Sequence, residues 1–315
     1  MITVRLATLQ DTSAITAVHT SDIAEWGRLL PNGEVQPADY NDLTIYERWQ
    51  HGGPWLSLET CALHLNRLLA GAGFPLVACA GDQVLAEAEV YESIEPAPFG
   101  HQLEISVINT HADHQRSGFG SALMDYIIQM ARLMRCERIT ISDADLPEFY
   151  EKFGFRHVRD GRGVRFSAQS GRVVYQATEL TNRDAAQIKG WHMPLGRYRS
   201  SRQEWQKLFP QEWAAGIPEL LDRTALHVKL SVSGVTNAIL FVSEPEIPHA
   251  QVGDLHIACW SERPPNAVLI AAIRDWAFRQ GFKNLMSYVM DDDLPLLGND
   301  VQSTGYTQSY YELIL

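Results

Sequence analysis

The sequence predicts an α/β protein built from two similar halves, and three observations carry that reading. A hairpin meander is followed by strand, loop, helix and strand. The loop in that series holds two glycines, Gln115-Arg116-Ser117-Gly118-Phe119-Gly120. The same order of elements returns, degenerately, in the second half of the chain.

Taken in order, the apolar alternation of Met1–Leu6 reads as a strand near 2–7. A helix near 11–20 follows, with Asp11 or Thr12 as its cap. An insertion over 22–74 carries Trp26, Trp49, Trp55 and a His51-Gly52-Gly53-Pro54 turn. Strands are predicted at 75–80, 83–92 and 101–109, the first two joined by a Gly81-Asp82 hairpin turn. Phe119, Leu123, Ile127, Met130 and Met134 recur at helical spacing and set a helix over 119–134, with a strand at 137–142 beyond it. A short helix begins after Pro147 and ends at Gly154, and a strand starts at Phe155. The glycine-bearing segment 160–180 marks the boundary, and a strand within it belongs to either half. The second half is predicted to hold strands near 225–232, 235–243, 251–260, 283–289 and 305–314, and a helix near 266–280.

The repeat rests on three echoes in the same order. Leu9, Asp11, Ile15 and His19 match Leu180, Asp184, Ile188 and His192; Leu103-Glu104-Ile105 matches Leu255-His256-Ile257; Asp143-Ala144-Asp145-Leu146-Pro147 matches Asp291-Asp292-Asp293-Leu294-Pro295. The expected units are residues 1–168 and 172–315.

With 315 residues, 45% hydrophobic and 20% charged, the composition is that of an ordinary globular protein of two domains. A net charge of −12 disfavours nucleic acid and anionic membranes as partners and favours cationic substrates. No apolar run approaches a membrane span, and the N-terminal segment lacks signal-peptide features. Cys61, Cys79, Cys136 and Cys259 are scattered without a C-x-x-C pair, which suits a reducing, cytoplasmic setting and gives no zinc pattern. His101, His111 and His114 match no ligand spacing, so no metal is expected.

The glycine loop is where chemistry is expected. A loop between a strand and a helix N-terminus exposes backbone N–H groups, and the helix dipole there favours anions. Glycine lets a phosphate approach the backbone closely. The loop lacks the Lys-Ser/Thr ending of a P-loop and the third glycine and ribose-binding carboxylate of a dinucleotide fold.

The pattern Gln/Arg-x-x-Gly-x-Gly/Ala in this position resembles the acetyl-CoA loop of the GNAT superfamily of N-acetyltransferases. Leu146-Pro147-Glu148-Phe149-Tyr150-Glu151-Lys152-Phe153-Gly154-Phe155 resembles that family's Tyr-x-x-x-Gly-Phe segment. The resemblance implies a tandem GNAT fold, each unit a mixed, mostly antiparallel sheet flanked by helices, with acetyl-CoA as cofactor. It implies that Gln115, Arg116, Ser117, Gly118, Phe119, Gly120 and Ser121 hold the pyrophosphate, and that main-chain groups of Ile108, Asn109 and Thr110 hold the pantetheine arm. Asp143, seven residues before Tyr150, stands where many relatives place a cofactor-contacting asparagine. Tyr150 is then the general acid toward the CoA sulfur. Glu104 interrupts an apolar strand and is the candidate base, with His111 and His101 as rivals. Arg156, Arg159, Arg162 and Arg165 recur every third residue and either reach a CoA phosphate or line a solvated strand. Trp26, Trp49 and Trp55 either wall the acceptor pocket or form lid core.

The second half lacks this machinery. Ser261-Glu262-Arg263-Pro264-Pro265-Asn266 replaces the glycine loop, His256 stands for Glu104, and Leu296-Leu297-Gly298 falls at the Tyr150 position. Prolines remove N–H donors. The expected protein is a monomeric or homodimeric N-acetyltransferase acting on a small-molecule amine. A non-catalytic acyl-CoA-binding protein and a transferase for peptide or protein amines are the alternatives.

Overall fold

The computed structural model describes residues 1–30, 34–209, 214–221, 225–244 and 254–315. Most strands form one continuous mixed sheet. Its first end holds β1 (Ile2–Leu6), β4 (Phe74–Ala80), β5 (Gln83–Ile94) and β6 (His101–Thr110), all antiparallel neighbours, and then β7 (Arg138–Ser142), which runs parallel to β6. Its other end repeats that order with β9 (Tyr175–Glu179), β11 (Ala225–Val232), β12 (Thr236–Ser243), β13 (Asp254–Ser261) and β14 (Asn284–Met290), the last parallel to β13. Between the two ends lie β15 (Gln302–Ile314) and β8 (Arg156–Ser167). The short β10 (His192–Leu195) pairs with β13, and β2 (Gly27–Leu29) with β3 (Val35–Pro37) forms a separate ribbon.

The two central strands are exchanged. β15, from the chain's end, completes the first half by pairing with β7. β8, from the first half, completes the second by pairing with β14. The arginines of β8 join the halves through ion pairs, Arg162 with Asp291 and Arg165 with Asp254. Arg159 lies over the Phe99 ring and Arg156 is exposed, so the four arginines share no single role.

Local elements follow the sequence pattern closely. The helix predicted over 119–134 is α4, Phe119–Leu133, the fourth after α1 (Thr12–Thr20), α2 (Ile45–Trp49) and α3 (Leu58–Arg67). Its Phe119, Leu123, Met124, Ile127 and Ala131 bury against Leu76, Ala86, Ala88, Val90, Leu103, Ile105, Ile139 and Ile141 of the sheet. Each large apolar side chain so buried contributes about 2 kcal/mol. The short helix after Pro147 is α5 (Pro147–Glu151), and Gly154 turns the chain out of it at φ +92°. Asp11 is the N-cap of α1, but its carboxylate accepts from the Thr8 N–H and from Arg5, and does not cap the helix. Later come α6 (Ser201–Trp205), α7 (Pro218–Leu221) and α8 (Ala267–Arg279). The predicted 251–260 strand is β13, its first three positions lying outside the described residues.

Two cores follow from this layout. One lies between α4 and the first half of the sheet, the other between α8 and the second. The opposite face of the first half is covered by α1, α3 and, from the second half, α6. That face carries Glu87, Glu89 and Tyr91 of β5, because strand side chains alternate and Ala86, Ala88 and Val90 point toward α4.

Candidate active site

The site begins where β6 and β7 part. They pair in parallel from Gln102↔Arg138 to Ile105↔Ile141 and no further. A bulge at Ser106 shifts the β5–β6 register and turns β6 away. Before the bulge β6 is buried from Gln102 to Ile105; after it, Ser106 to Thr110 are all half-buried. The result is a fork, closed at Ile105–Ile141 and open toward Thr110. Its open edge is a strand with unpaired main-chain groups.

At the mouth lies the glycine loop. Gln115, Arg116, Ser117 and Gly118 are exposed. Arg116 takes φ +58°, and Gly118, the N-cap of α4, takes φ +92° with no side chain to cap the helix. The first helical bond runs from Ala122 N–H to the Gly118 carbonyl at 3.0 Å, so the N–H groups of Phe119, Gly120 and Ser121 find no acceptor within the helix. Gln115 Nε2 donates to Asp22 at 3.0 Å, and the Ala112 N–H donates to Ser21 Oγ at 2.9 Å, which ties the loop to the end of α1. A Cβ at Gly120 would stand 3.5 Å from Phe149, which brings α5 against the same helix end.

At the closed end sit Glu104, Ser142, Asp143 and Tyr150. Glu104 is 1% exposed. Its Oε1 accepts from Ser142 Oγ at 3.0 Å and its Oε2 from the Ser200 N–H. Burial pushes its carboxyl above the usual range, against the opposing pull of Arg199 and the Ser200 and Ser142 bonds. Ser200 is the N-cap of α6, so this carboxylate also meets a helix N-terminus brought from the second half. Glu95 repeats the pattern, accepting from the Ser201 N–H at 3.1 Å and pairing with buried Arg197. Gln203 of α6 donates to Ser106 Oγ at the bulge.

Tyr150 is buried and packs edge-on to Phe149 and Phe155. Burial and nearby Asp145 raise its pKa, and Arg199 opposes them. Asp143, at φ +58°, accepts from the Tyr306 hydroxyl at 2.6 Å and from the Tyr198 hydroxyl at 3.4 Å. His111 lies at the other end, past Thr110, where its Nδ1 accepts from the Asp113 N–H at 3.3 Å. Five residues of strand separate it from the bulge, roughly 16 Å.

The three tryptophans do not converge. Trp55 donates to Glu89 at 2.7 Å and stacks on His19 at 5.0 Å. Trp26 packs on Tyr40 and His51, and Trp49 on Tyr46 and the cluster of Ala214, Ile217 and Leu220. Trp55 alone of the three touches a polar cluster that the sequence reading missed. In it Glu87 (1% exposed) meets His19 at 3.1 Å, and Glu89 (2%) meets His64 at 2.8 Å. Burial and the charge of Glu89 push Glu87 up; burial also opposes charge on Glu89, but His64 and Trp55 hold it down. Burial lowers His19 to about 4, so its ring is neutral at pH 7. The available signal was two glutamates, two residues apart, in an otherwise apolar strand.

A cavity of about 540 Å³ lies apart from the fork, between α3, the end of β5 and α6, lined by Arg67, Ser93, Arg202 and Trp205 among others.

The second half also has a fork, since β13 and β14 pair only from Asp254↔Asn284 to His256↔Met286. There β10 enters the gap, with Leu195 opposite Cys259 and His192 opposite Ser261, and the Gly196 N–H donates to the Tyr288 carbonyl at 2.9 Å. The N-terminus of α8 is capped by Asn266, whose side chain accepts from the N–H groups of Val268 and Leu269 at 3.0 Å each.

Residues 35–155 match the profile of the acetyltransferase (GNAT) family. They form a GNAT acetyltransferase domain. The GNAT match spans the first fork, the glycine loop and Tyr150, and its chemistry is acyl-CoA-dependent acetyl transfer to nitrogen. Similar solved structures include GCN5-related N-acetyltransferases from Kribbella flavida (12% identity, TM-score 0.59) and Anabaena variabilis ATCC 29413 (10%, 0.60). Both alignments cover all of this chain, with 71% and 73% of the respective other chains. A probable N-acyltransferase from Enterococcus faecalis V583 aligns over the whole chain and 72% of its own length at 10% identity, TM-score 0.56. At these identities the likeness is one of fold, and it extends over both halves. No curated protein sequence is detectably similar to this one.

Proposed function

We propose that residues 1–168 are the catalytic, acetyl-CoA-binding unit, that 172–315 are a degenerate GNAT-like unit, and that the enzyme acetylates a primary amine of a small molecule. The observation that carries this is the first fork, with uncapped N–H groups at its mouth and a tyrosine, a buried carboxylate and a serine at its closed end. The fit to acetyl-CoA is specific. Gln115 to Ser121 offer backbone donors to a pyrophosphate, and Gly118 leaves room for it. Main-chain groups of Ile108, Asn109 and Thr110 suit an extended arm laid along β6. Asp143 and Tyr150 stand at the far end. Acetyl-CoA supplies the acetyl group as a thioester, activated toward an amine.

The residues then divide the work. Tyr150 holds a proton on its Oη, and burial keeps that proton in place until it is needed. Of the two base candidates, Glu104 lies at the closed end and His111 at the mouth, so Glu104 is the base in this reading. Its Oε1 is reached through the Ser142 hydroxyl, which carries a proton inward. Glu89, held ionised by His64 and Trp55 against its burial, makes the acceptor face acidic, which favours an amine that arrives as an ammonium. Trp55, stacked over His19, is the tryptophan placed to meet it. Among the described residues no helix is long and apolar enough to cross a membrane, and four buried free thiols support a reducing cytoplasmic setting.

The test has two parts. CoA release is measured against amino acids, polyamines, amino sugars, aminoglycosides and short peptides; release with a small amine is expected, and none with any of them refutes catalysis. Tyr150→Phe should lower kcat about a hundredfold while acetyl-CoA affinity changes little. An equal loss of both removes the acid role.

A further inference from the structure

The second half inserts a short segment, Gly196 to Gln203, into the closed end of the first fork, and that segment brings a cation. Arg199 donates from Nη1 to the Ser142 carbonyl at 2.8 Å, at the first residue beyond the last β6–β7 pair. Its own N–H donates to Glu204 at 3.0 Å. The segment is pinned on both sides. Gly196 is bonded to Tyr288; Arg197 is buried against Glu95, with its guanidinium 3.7 Å over the Phe99 ring; Ser200 is bonded to Glu104. A guanidinium held this way keeps its place without a ligand.

The groups around it give it a purpose. Glu104 from β6, Glu204 from α6, Tyr150 from α5, Tyr310 from β15 and Asp145 from the β7–α5 loop all lie in this region; three are carboxyls, two are phenols, and all five are negative when ionised. An anion forming beside Tyr150 would be repelled by Glu104 and Asp145. Arg199 is the neighbour of opposite sign that acts on both Glu104 and Tyr150.

We propose that Arg199, contributed by the otherwise silent second half, is the cation that balances negative charge at the sulfur end of CoA. This rests on the assignment of the first fork as the CoA site. It gives the second half a direct part in the reaction centre. The arm of the cofactor enters past the glycine loop and ends where β6 and β7 close. Arg199 waits at that end with Tyr150, one supplying charge and the other a proton.

A bound CoA thiol reports this without turnover. The full chain is titrated with CoA, and the thiolate absorbance is followed against pH as a difference from desulfo-CoA. Free CoA titrated in the same buffer gives the reference value. In the wild type the bound thiol should titrate about one unit lower. In Arg199→Met it should return to the free value or above, with Arg199→Lys between them and desulfo-CoA affinity unchanged in all three. A bound thiol in the wild type that titrates at or above free CoA overturns the proposal with no variant needed. Identical titrations in wild type and Arg199→Met overturn it as well. Failure of both CoA and desulfo-CoA to bind the wild type refutes instead the assignment of the fork.

Discussion

The first fork lies open from Ser106 to Thr110; the second, at the matching place in its own half, is filled by β10. Both arise the same way, from a parallel strand pair that separates after three or four residues. They differ in what satisfies the exposed main chain. In the second, β10 supplies backbone partners to β13, and Asn266 caps the helix behind it. In the first, the strand edge is free, and the helix begins on Gly118 with no cap. An unpaired edge and an uncapped helix are costs to a folded chain, of roughly 1 kcal/mol for a missing cap alone. A ligand with phosphates at one end and an extended arm recovers them. The second fork is stable without a ligand, because the chain itself occupies the gap.

The strongest way to break this contrast is at the first loop. Gly118→Glu combines a left-handed φ with a carboxylate among groups meant for phosphate, and should abolish acetyl-CoA binding by calorimetry while leaving the circular dichroism spectrum intact. Retained affinity would sink the loop assignment. In the second fork, Gly196 holds φ +83°, and a Cβ there would stand 2.4 Å from the Ala258 Cβ. Gly196→Val should therefore push β10 off β13 and destabilise the protein by about 3 kcal/mol or more, read from urea unfolding, without creating a second CoA site. Binding of two acetyl-CoA molecules per chain in that variant would mean that β10 alone suppresses the second site.

A smaller effect distinguishes the halves by pH. Burial lowers His19 in the first half and His256 in the second to about 4 each. A histidine whose folded pKa is depressed contributes stability above its unfolded pKa of 6.5, and that contribution is lost as pH falls toward 4. Each is worth about 3 kcal/mol at most. His19→Asn and His256→Asn should each flatten the acid limb of stability between pH 6.5 and 4 by about 2 kcal/mol, and melting curves of the two single variants show which half yields first. An unchanged acid limb in both would remove these rings from the acid response.

Much of the site was legible because its signals are local. Gln115 to Gly120 read as a phosphate loop from glycine spacing and its place between strand and helix, and the structure puts Gly118 in the left-handed region as the helix N-cap. The Pro147–Gly154 segment read as a short helix, and it is one. Glu104 stood out as a carboxylate interrupting an apolar strand, and the structure buries it to 1% exposure. What engages it was not legible, because Ser200 lies almost a hundred residues further on. The same holds for the Glu87–Glu89 cluster, whose histidines come from α1 and α3.

The sequence by itself determined the long strands of the sheet, the helices α1, α4, α5 and α8, the glycine loop and the absence of such a loop from the second half, but not β10 or α6. These rest on periodicity, turn chemistry and the loss of N–H donors at proline, all properties of neighbouring residues. Only the tertiary structure decided that β8 and β15 change places, that β10 fills the second fork, and that Arg199 and Ser200 reach into the first. Strand order and inter-element contacts depend on which apolar faces meet across the whole chain, and a strand's own pattern is the same whichever neighbour it joins.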